Sequence, residues 1–307
     1  MVTIGDMLGG SDCALNLITD PHLMADDSNY VLTLQCNDQP GIVAAVATTL
    51  ANSGCNILES HQFDDLETGH FFMRVLFFAP PPLSVADVEA SLAGVAKRFG
   101  MILQVTDTRV KMRVIVLVSK FDHCLQDLIY RSRLGSLPVE IVAIVSNHTV
   151  SATTAEQNGI PYYHWPVTPE TKAAREAQLF DLVDELKADL VVLARYMQVL
   201  SDEASRRLSG RTINIHHSFL PAFKGAAPYS QAHKRGVKLI GATAHYVTGD
   251  LDEGPIIAQD AEPVTHADGA ESMMVKGREI EARVLSRAVK AHAERRVFIN
   301  GVKTVVF

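Results

Sequence analysis

The sequence predicts an α/β protein of two units. The first is a small ferredoxin-like βαββαβ unit over residues 29–108. The second, over residues 109–307, is built on a Rossmann-like, mostly parallel sheet. Three observations predict this. Extended and helical patterns follow one another in β-α-β-β-α-β order up to Thr108. Beyond Val110, short apolar runs alternate with helical patterns, as strands buried on both faces of a parallel sheet require. The chain has 307 residues, 47% apolar and 21% charged, enough to build two ordinary cores.

The elements of the first unit read in order. Tyr30 to Cys36 alternates, with Leu32, Leu34 and Cys36 on one side, so it is a strand. Pro40 opens a helix, where its missing N–H costs nothing, and Asp38 is placed to cap it. Ile42, Val46 and Leu50 form its apolar stripe, and Gly54 ends it. Asn56 to Phe63 and His70 to Phe78 are strands joined by a turn over Asp64 to Gly69. Ser84 caps a second helix with Val88, Leu92, Val95 and Phe99 on one face, and Met101 to Thr106 is the last strand. Thr106 to Lys111 is the junction.

In the second unit, Val114 to Val118, Ile141 to Val145 and Leu190 to Leu193 read as buried strands, with a helix over Thr171 to Lys187 between the second and third. Thr212 to Ile215 and Leu239 to Ala244 are further strands, and Glu279 to Arg295 is helical. Ligands on such sheets sit outside the carboxyl ends of the strands.

Composition removes several function classes. The formal charge of −7 disfavours nucleic-acid binding, which needs a surplus of Lys and Arg. No apolar run is long enough to span a membrane. Cys13, Cys36, Cys55 and Cys124 form no C-x-x-C pair, which argues against a zinc site or a disulfide framework and fits a reducing cytosol. Residues 1–28 contain Asp6, Asp12 and Asp20 and no basic start, so they read as a loosely ordered extension rather than a signal peptide. No G-x-G-x-x-G follows the first strand of the second unit, which weighs against a dinucleotide-binding oxidoreductase.

The distinctive chemistry lies at Ile213-Asn214-Ile215-His216-His217-Ser218-Phe219-Leu220-Pro221 and at His245 to Pro255. Polar side chains leave the end of an apolar strand, then Pro221 and Gly225 turn the chain into a loop. Alternation places Asn214 and His216 on one face and His217 on the other, which argues against the two histidines as joint metal ligands. Singly these residues are ordinary. Asp252 reads equally as a turn residue, and His217 and His245 as satisfied structural histidines.

Together with Lys224-Gly225 and Leu251-Asp252-Glu253-Gly254, this segment closely resembles the folate-dependent formyltransferase family. The resemblance covers residues 109–307 and implies that Asn214, His216 and Asp252 are catalytic. It implies a pterin pocket lined by Tyr196, Met197, Gln198, Val199 and Leu200. It also implies a pterin-holding loop that includes Tyr246, Val247, Thr248, Gly249, Leu251 and Gly254. No metal or other cofactor is implied, since folate is the substrate.

The chemistry agrees. Attack on a formyl carbon builds negative charge on oxygen, which the Asn214 amide and a His216 imidazolium supported by Asp252 can meet. Asp252 can also move a proton from the nucleophile to the leaving nitrogen. The segment Val118 to Leu125 has no glycine and carries Asp122, so it lacks the backbone cradle that a phosphorylated amine needs. It resembles the deformylase branch of the family, as does His217, which is a candidate for positioning water.

The expected activity is therefore that of a hydrolase, converting 10-formyltetrahydrofolate to tetrahydrofolate and formate and supplying formate for one-carbon and purine metabolism. The alternatives are a formyltransferase to a small amine and a non-catalytic folate or amino-acid sensor.

Residues 29–108, with Asp38-Gln39-Pro40-Gly41-Ile42 and Gly54-Cys55-Asn56-Ile57, resemble the ACT domain. That resemblance implies an amino-acid effector, methionine or glycine, held by Asp38, Gly41, Ile42, Asn56 and Ile57. It also implies a homo-oligomer, with a tetramer as the size in view. Pro40 and Gly41 explain the motif as a simple strand-to-helix turn as well.

Overall fold

The computed structural model describes residues 29–220 and 228–307. The extension expected over residues 1–28, and Pro221, Lys224 and Gly225, lie outside them.

The first unit consists of β1 (Asn29–Asn37), α1 (Ile42–Asn52), β2 (Asn56–Asp65), β3 (His70–Phe78), α2 (Val85–Phe99) and β4 (Ile102–Asp107). Its four strands form an antiparallel sheet in the order β2-β3-β1-β4. Leu32, Leu34 and Cys36 project from β1 onto one core with Ile42, Val46 and Leu50 of α1 and Val88, Leu92 and Phe99 of α2. Ser84 caps α2 in a reciprocal box with Asp87, as expected.

Asp38 does not cap α1. Gly41 occupies the cap position at φ 96°, in the left-handed region open to glycine, and no side chain bonds there. Asp38 precedes the cap residue in the chain, and its backbone N–H donates to Gly69 O at 2.8 Å. The turn expected from Asp64 starts later, because β2 runs on to Asp65. That carboxylate accepts from the Glu67 N–H and the Thr68 hydroxyl, both at 3.0 Å.

The second unit begins with β5 (Met112–Val118), α3 (His123–Arg133), β6 (Val139–Ser146), α4 (Ala152–Gln157), β7 (Tyr162–His164), α5 (Lys172–Glu185) and β8 (Leu190–Ala194). It continues through α6 (Asp202–Arg207), β9 (Thr212–His216), α7 (Pro228–Arg235), β10 (Leu239–Tyr246), β11 (Ile256–Pro263) and α8 (Ala270–Ala293). The sheet order is β11-β10-β9-β8-β5-β6-β7. Strands β5 to β9 pair in parallel, while β10 and β11 add an antiparallel edge. Successive residues of β5 feed two cores. Val114, Val116 and Val118 pack under α3 and α8, and Ile115 and Leu117 pack under α5. That explains the uninterrupted apolar run.

A terminal hairpin, β12 (Val297–Asn300) and β13 (Lys303–Val306), joins the two units. Phe298 packs on Phe72 with ring centroids 5.7 Å apart. The buried Arg74 donates from Nε to Glu294 O at 3.0 Å.

Candidate active site

Strand β9 and its neighbour β10 set the site. Asn214 sits opposite His245 across the antiparallel pair, and the Asn214 amide nitrogen lies 3.2 Å from His245 Nε2. His245 Nδ1 lies 2.9 Å from Tyr246 O, so a proton on Nδ1 donates to that carbonyl. The contact between His245 Nε2 and the Asn214 carboxamide fixes how that carboxamide faces the cavity.

The loop after β10 returns Asp252 over this strand end. Asp252 holds φ 57°, left-handed for a non-glycine residue and a conformation Asp tolerates better than most. Its Oδ2 is 3.1 Å from His216 Nδ1, and its Oδ1 is 3.6 Å from His245 Nε2. Burial raises the Asp252 carboxyl, but bonds from His216 and His245 outweigh burial and hold it well below the usual carboxylate range. Asp252 is therefore an ionised carboxylate beside Nδ1 of His216, the proximity that an imidazolium at this position requires. The other nitrogen, His216 Nε2, is buried without a hydrogen-bond partner.

These groups line a cavity of about 240 Å³ at the carboxyl ends of β8 and β9. Tyr196, Met197, Gln198, Val199 and Leu200 form one wall, and Val247, Thr248, Gly249 and Leu251 form another. Burial, reinforced by the Glu176 charge, pushes the Tyr196 phenol up to about 12, so it stays a neutral donor.

The two end residues of the expected pterin-holding loop, Tyr246 and Gly254, do not line this cavity. The buried Tyr246 ring points toward the first unit, where its hydroxyl lies 2.6 Å from His292 Nδ1. Alternation along β10 sends it away from its neighbour His245. Gly254 stands behind the loop, because a Cβ there would lie 1.7 Å from Tyr246 O. Its role is to let the returning loop press against β10.

The position of His217 also differs from strand alternation. β9 ends at His216, so the strict two-residue period no longer applies. The His217 ring stacks on His216, with centroids 5.2 Å apart, and lines the same cavity. Burial, with the Arg195 and His216 charges nearby, pushes the His217 imidazole down to about 4.

A polar cluster at the back of the site escaped the sequence reading. Glu281 of α8 is 1% exposed. It accepts from the Tyr229 hydroxyl at 2.6 Å, lies 2.8 Å from His123 Nε2, and pairs with Arg195 Nε at 3.3 Å. Burial raises its carboxyl, but the His123 bond, the Arg195 charge and the Tyr229 bond together hold it low. His123, Cys124 and Glu281 offer ligand atoms within 4.8 Å of one another. Burial pushes the Cys124 thiol well up, and the Arg195 cation beside the only carboxylate opposes a metal ion there. No sequence period marks these residues, which come from four separate elements or loops.

The positions expected to hold an effector are less uniform than the motif suggested. Asp38, Gly41 and Asn56 are exposed, and Ile57 is half-buried. Ile42 is 2% exposed within the helix core, so its side chain is committed to packing.

Comparison with known proteins agrees with this architecture. Residues 112–289 match the formyl transferase family, and residues 30–92 match the ACT domain family. A formyltetrahydrofolate deformylase of Corynebacterium sp. (strain P-1) is 48% identical over 284 residues, covering 92% of this chain and 99% of that protein. The crystal structure of a formyltetrahydrofolate deformylase from Burkholderia mallei superposes with a TM-score of 0.88 at 51% identity. It covers 92% of this chain and 100% of that one. A glycinamide ribonucleotide transformylase from Symbiobacterium toebii has a TM-score of 0.60 at 32% identity, and covers only 64% of this chain but 94% of that one. The match over 92% of the chain, including the ACT unit, is to deformylases, and the chain belongs to the formyltetrahydrofolate deformylase family.

Proposed function

We propose that this protein hydrolyses 10-formyltetrahydrofolate to tetrahydrofolate and formate. The observation that carries this reading is the convergence of Asn214, His216 and Asp252 on one cavity, with His216 Nε2 buried and unpaired in its wall. The pterin is assigned to the walls formed by Tyr196 to Leu200 and Val247 to Leu251.

Water adds through oxygen to the formyl carbon, and the carbonyl electron pair moves to the formyl oxygen. The Asn214 amide and a proton on His216 Nε2 stabilise that charge. Asp252 takes the proton released by water and returns one to the leaving nitrogen, directly or through a second water. The C–N bond breaks with its electron pair passing to nitrogen, which yields the secondary amine and formate. Every step balances with water and these side chains, so we assign no metal or redox cofactor.

Residues 29–108 are assigned as a regulatory unit and 109–307 as the catalytic one. An amino-acid effector, methionine or glycine, is assigned to the exposed Asp38, Gly41 and Asn56 region, with assembly into a homo-oligomer through the ACT units. No helix among the described residues is long and apolar enough to cross a membrane. We place the activity in the cytoplasm, with formate feeding one-carbon and purine metabolism.

The test is acceptor dependence. Purified protein is expected to release formate and tetrahydrofolate from 10-formyltetrahydrofolate with no amine present. Turnover that appears only on adding an amine assigns the chain to formyl transfer instead. Absence of formate under both conditions, with folate still bound, assigns it to sensing.

A further inference from the structure

We propose that the Arg195 guanidinium, with His217 beside it, is the seat for the attacking water and then for the formate that the water becomes. The proposal rests on the hydrolase reading above.

Arg195 immediately follows β8 and lines the cavity that holds Asn214, His216 and Asp252. Its backbone sits at φ 64°, in the left-handed region where a long side chain is rare, so the surrounding structure holds it there against strain. The side chain is only 11% exposed. Among the described residues, its ion-pair partner is Glu281, which already accepts from Tyr229 and lies within hydrogen-bond reach of His123. Although Arg195 Nε lies 3.3 Å from Glu281 Oε2, neither Nε nor Nη1 has a hydrogen-bond partner.

Among the described residues, six buried side-chain polar atoms lack a partner. Three of them, Arg195 Nε, Arg195 Nη1 and His216 Nε2, belong to two residues that line this one cavity. Buried donors without acceptors are costly, and charged ones more so. A cluster of them beside reacting groups marks the place of an acceptor that arrives with the reaction.

The chemistry names the acceptor. Hydrolysis forms a C–O bond from water and breaks the C–N bond. The product keeps two oxygens, one from the carbonyl and one from water, and releases a net proton to solvent. A group that seats the water oxygen therefore seats one formate oxygen afterwards. A planar guanidinium matches a planar carboxylate through two parallel N–H donors. His217 is held neutral by burial and by the Arg195 charge, so it offers a hydrogen bond without adding a second cation. Cys124, Glu281 and His123 face this region from behind. None of them is free to serve as the acceptor, because Glu281 is engaged and the Cys124 thiol stays protonated.

The experiment uses the full chain. Sodium formate is titrated against sodium chloride at constant ionic strength. Two signals are followed: initial rates of 10-formyltetrahydrofolate hydrolysis, and line broadening of ¹³C-formate without folate. Wild-type protein is expected to be inhibited by formate and to broaden its resonance. Arg195→Gln is expected to weaken formate by about tenfold or more, with a lower kcat and an unchanged KM for folate. Arg195→Lys, which keeps the charge but not the fork, falls between them. Neither inhibition nor broadening in the wild type overturns the proposal, as does equal formate affinity in a folded Arg195→Gln protein. Should the Gln variant melt early, the Lys variant and the wild-type titration decide. Wild-type protein that broadens formate but does not hydrolyse folate leaves the seat standing and overturns the hydrolase reading.

Discussion

Asn214 and His245 face each other across the antiparallel pair β9–β10, with the Asn214 amide nitrogen 3.2 Å from His245 Nε2. The carboxamide proposed to meet the developing oxyanion is thus aimed by a histidine on the neighbouring strand, itself 2.9 Å from Tyr246 O.

Removing that tie frees Asn214 to rotate while leaving the pterin walls intact. His245→Ala is expected to lower kcat by about a hundredfold, the scale of a displaced reacting group, with little change in KM for folate. Steady-state kinetics on a variant of native melting temperature checks this. A matching rise in KM assigns His245 to binding rather than aiming.

Asp252 combines a left-handed backbone with an ionised carboxylate 3.1 Å from His216. Asn tolerates the same backbone region, so Asp252→Asn keeps the loop and removes only the charge and the proton-accepting capacity. The variant is expected to fold and bind folate, with kcat reduced by about a thousandfold. Fluorescence titration with a folate analogue and formate assays read the two effects separately. Substantial turnover by the variant removes Asp252 from the proton path.

The proposed catalytic trio, Asn214, His216 and Asp252, could be singled out because its residue types and loop lengths form a long ordered pattern in the sequence. The cores of the two units were legible because amphipathic stripes and strands buried on both faces leave different periods in the sequence. His245 was not legible as an aiming group, since its meaning depends on the register between β9 and β10. Arg195, Tyr229, His123 and Glu281 were hidden for the same reason: only the packed sheet and α8 bring them together. Tyr246 and Gly254 show the converse. They belong to the resembling loop, yet one points to the other unit and the other packs behind the strand.

Two buried histidines are expected to make the fold sensitive to mild acid. Burial, with Arg195 and His216 close by, pushes His217 down to about 4. Burial, with Arg295 close by, does the same to His292. A histidine depressed in the folded state binds fewer protons there than in the unfolded chain, so stability falls as pH drops from about 6.5 toward 4. Each contributes a loss on the order of 3 kcal/mol across that window. The Asp252 effect lies lower, because its stabilisation is present above the unfolded carboxylate value and is lost only below it. Urea unfolding between pH 7 and 4.5 is expected to show this slope in the wild type and a shallower one in His292→Gln. Identical slopes place the acid sensitivity elsewhere.

Gly277 of α8 lets the back of the site close. A Cβ at this position would lie 2.1 Å from the Tyr229 ring and hydroxyl, and that hydroxyl donates to Glu281 Oε1 at 2.6 Å. Both partners of the clash are confined, since Tyr229 is 9% exposed and sits in the core that α8 covers. Gly277→Ala would gain helix propensity elsewhere in a helix. Here overpacking is expected to dominate and to destabilise the fold by about 1–3 kcal/mol. Tyr229→Leu alone loses the bond to Glu281, but it shortens the side chain that the new methyl meets. The double variant is therefore expected to cost less than the sum of the two single ones in thermal or urea melts, the signature of a direct contact. Strict additivity implies that α8 shifts to accommodate the methyl and that Gly277 does not hold Tyr229 against Glu281.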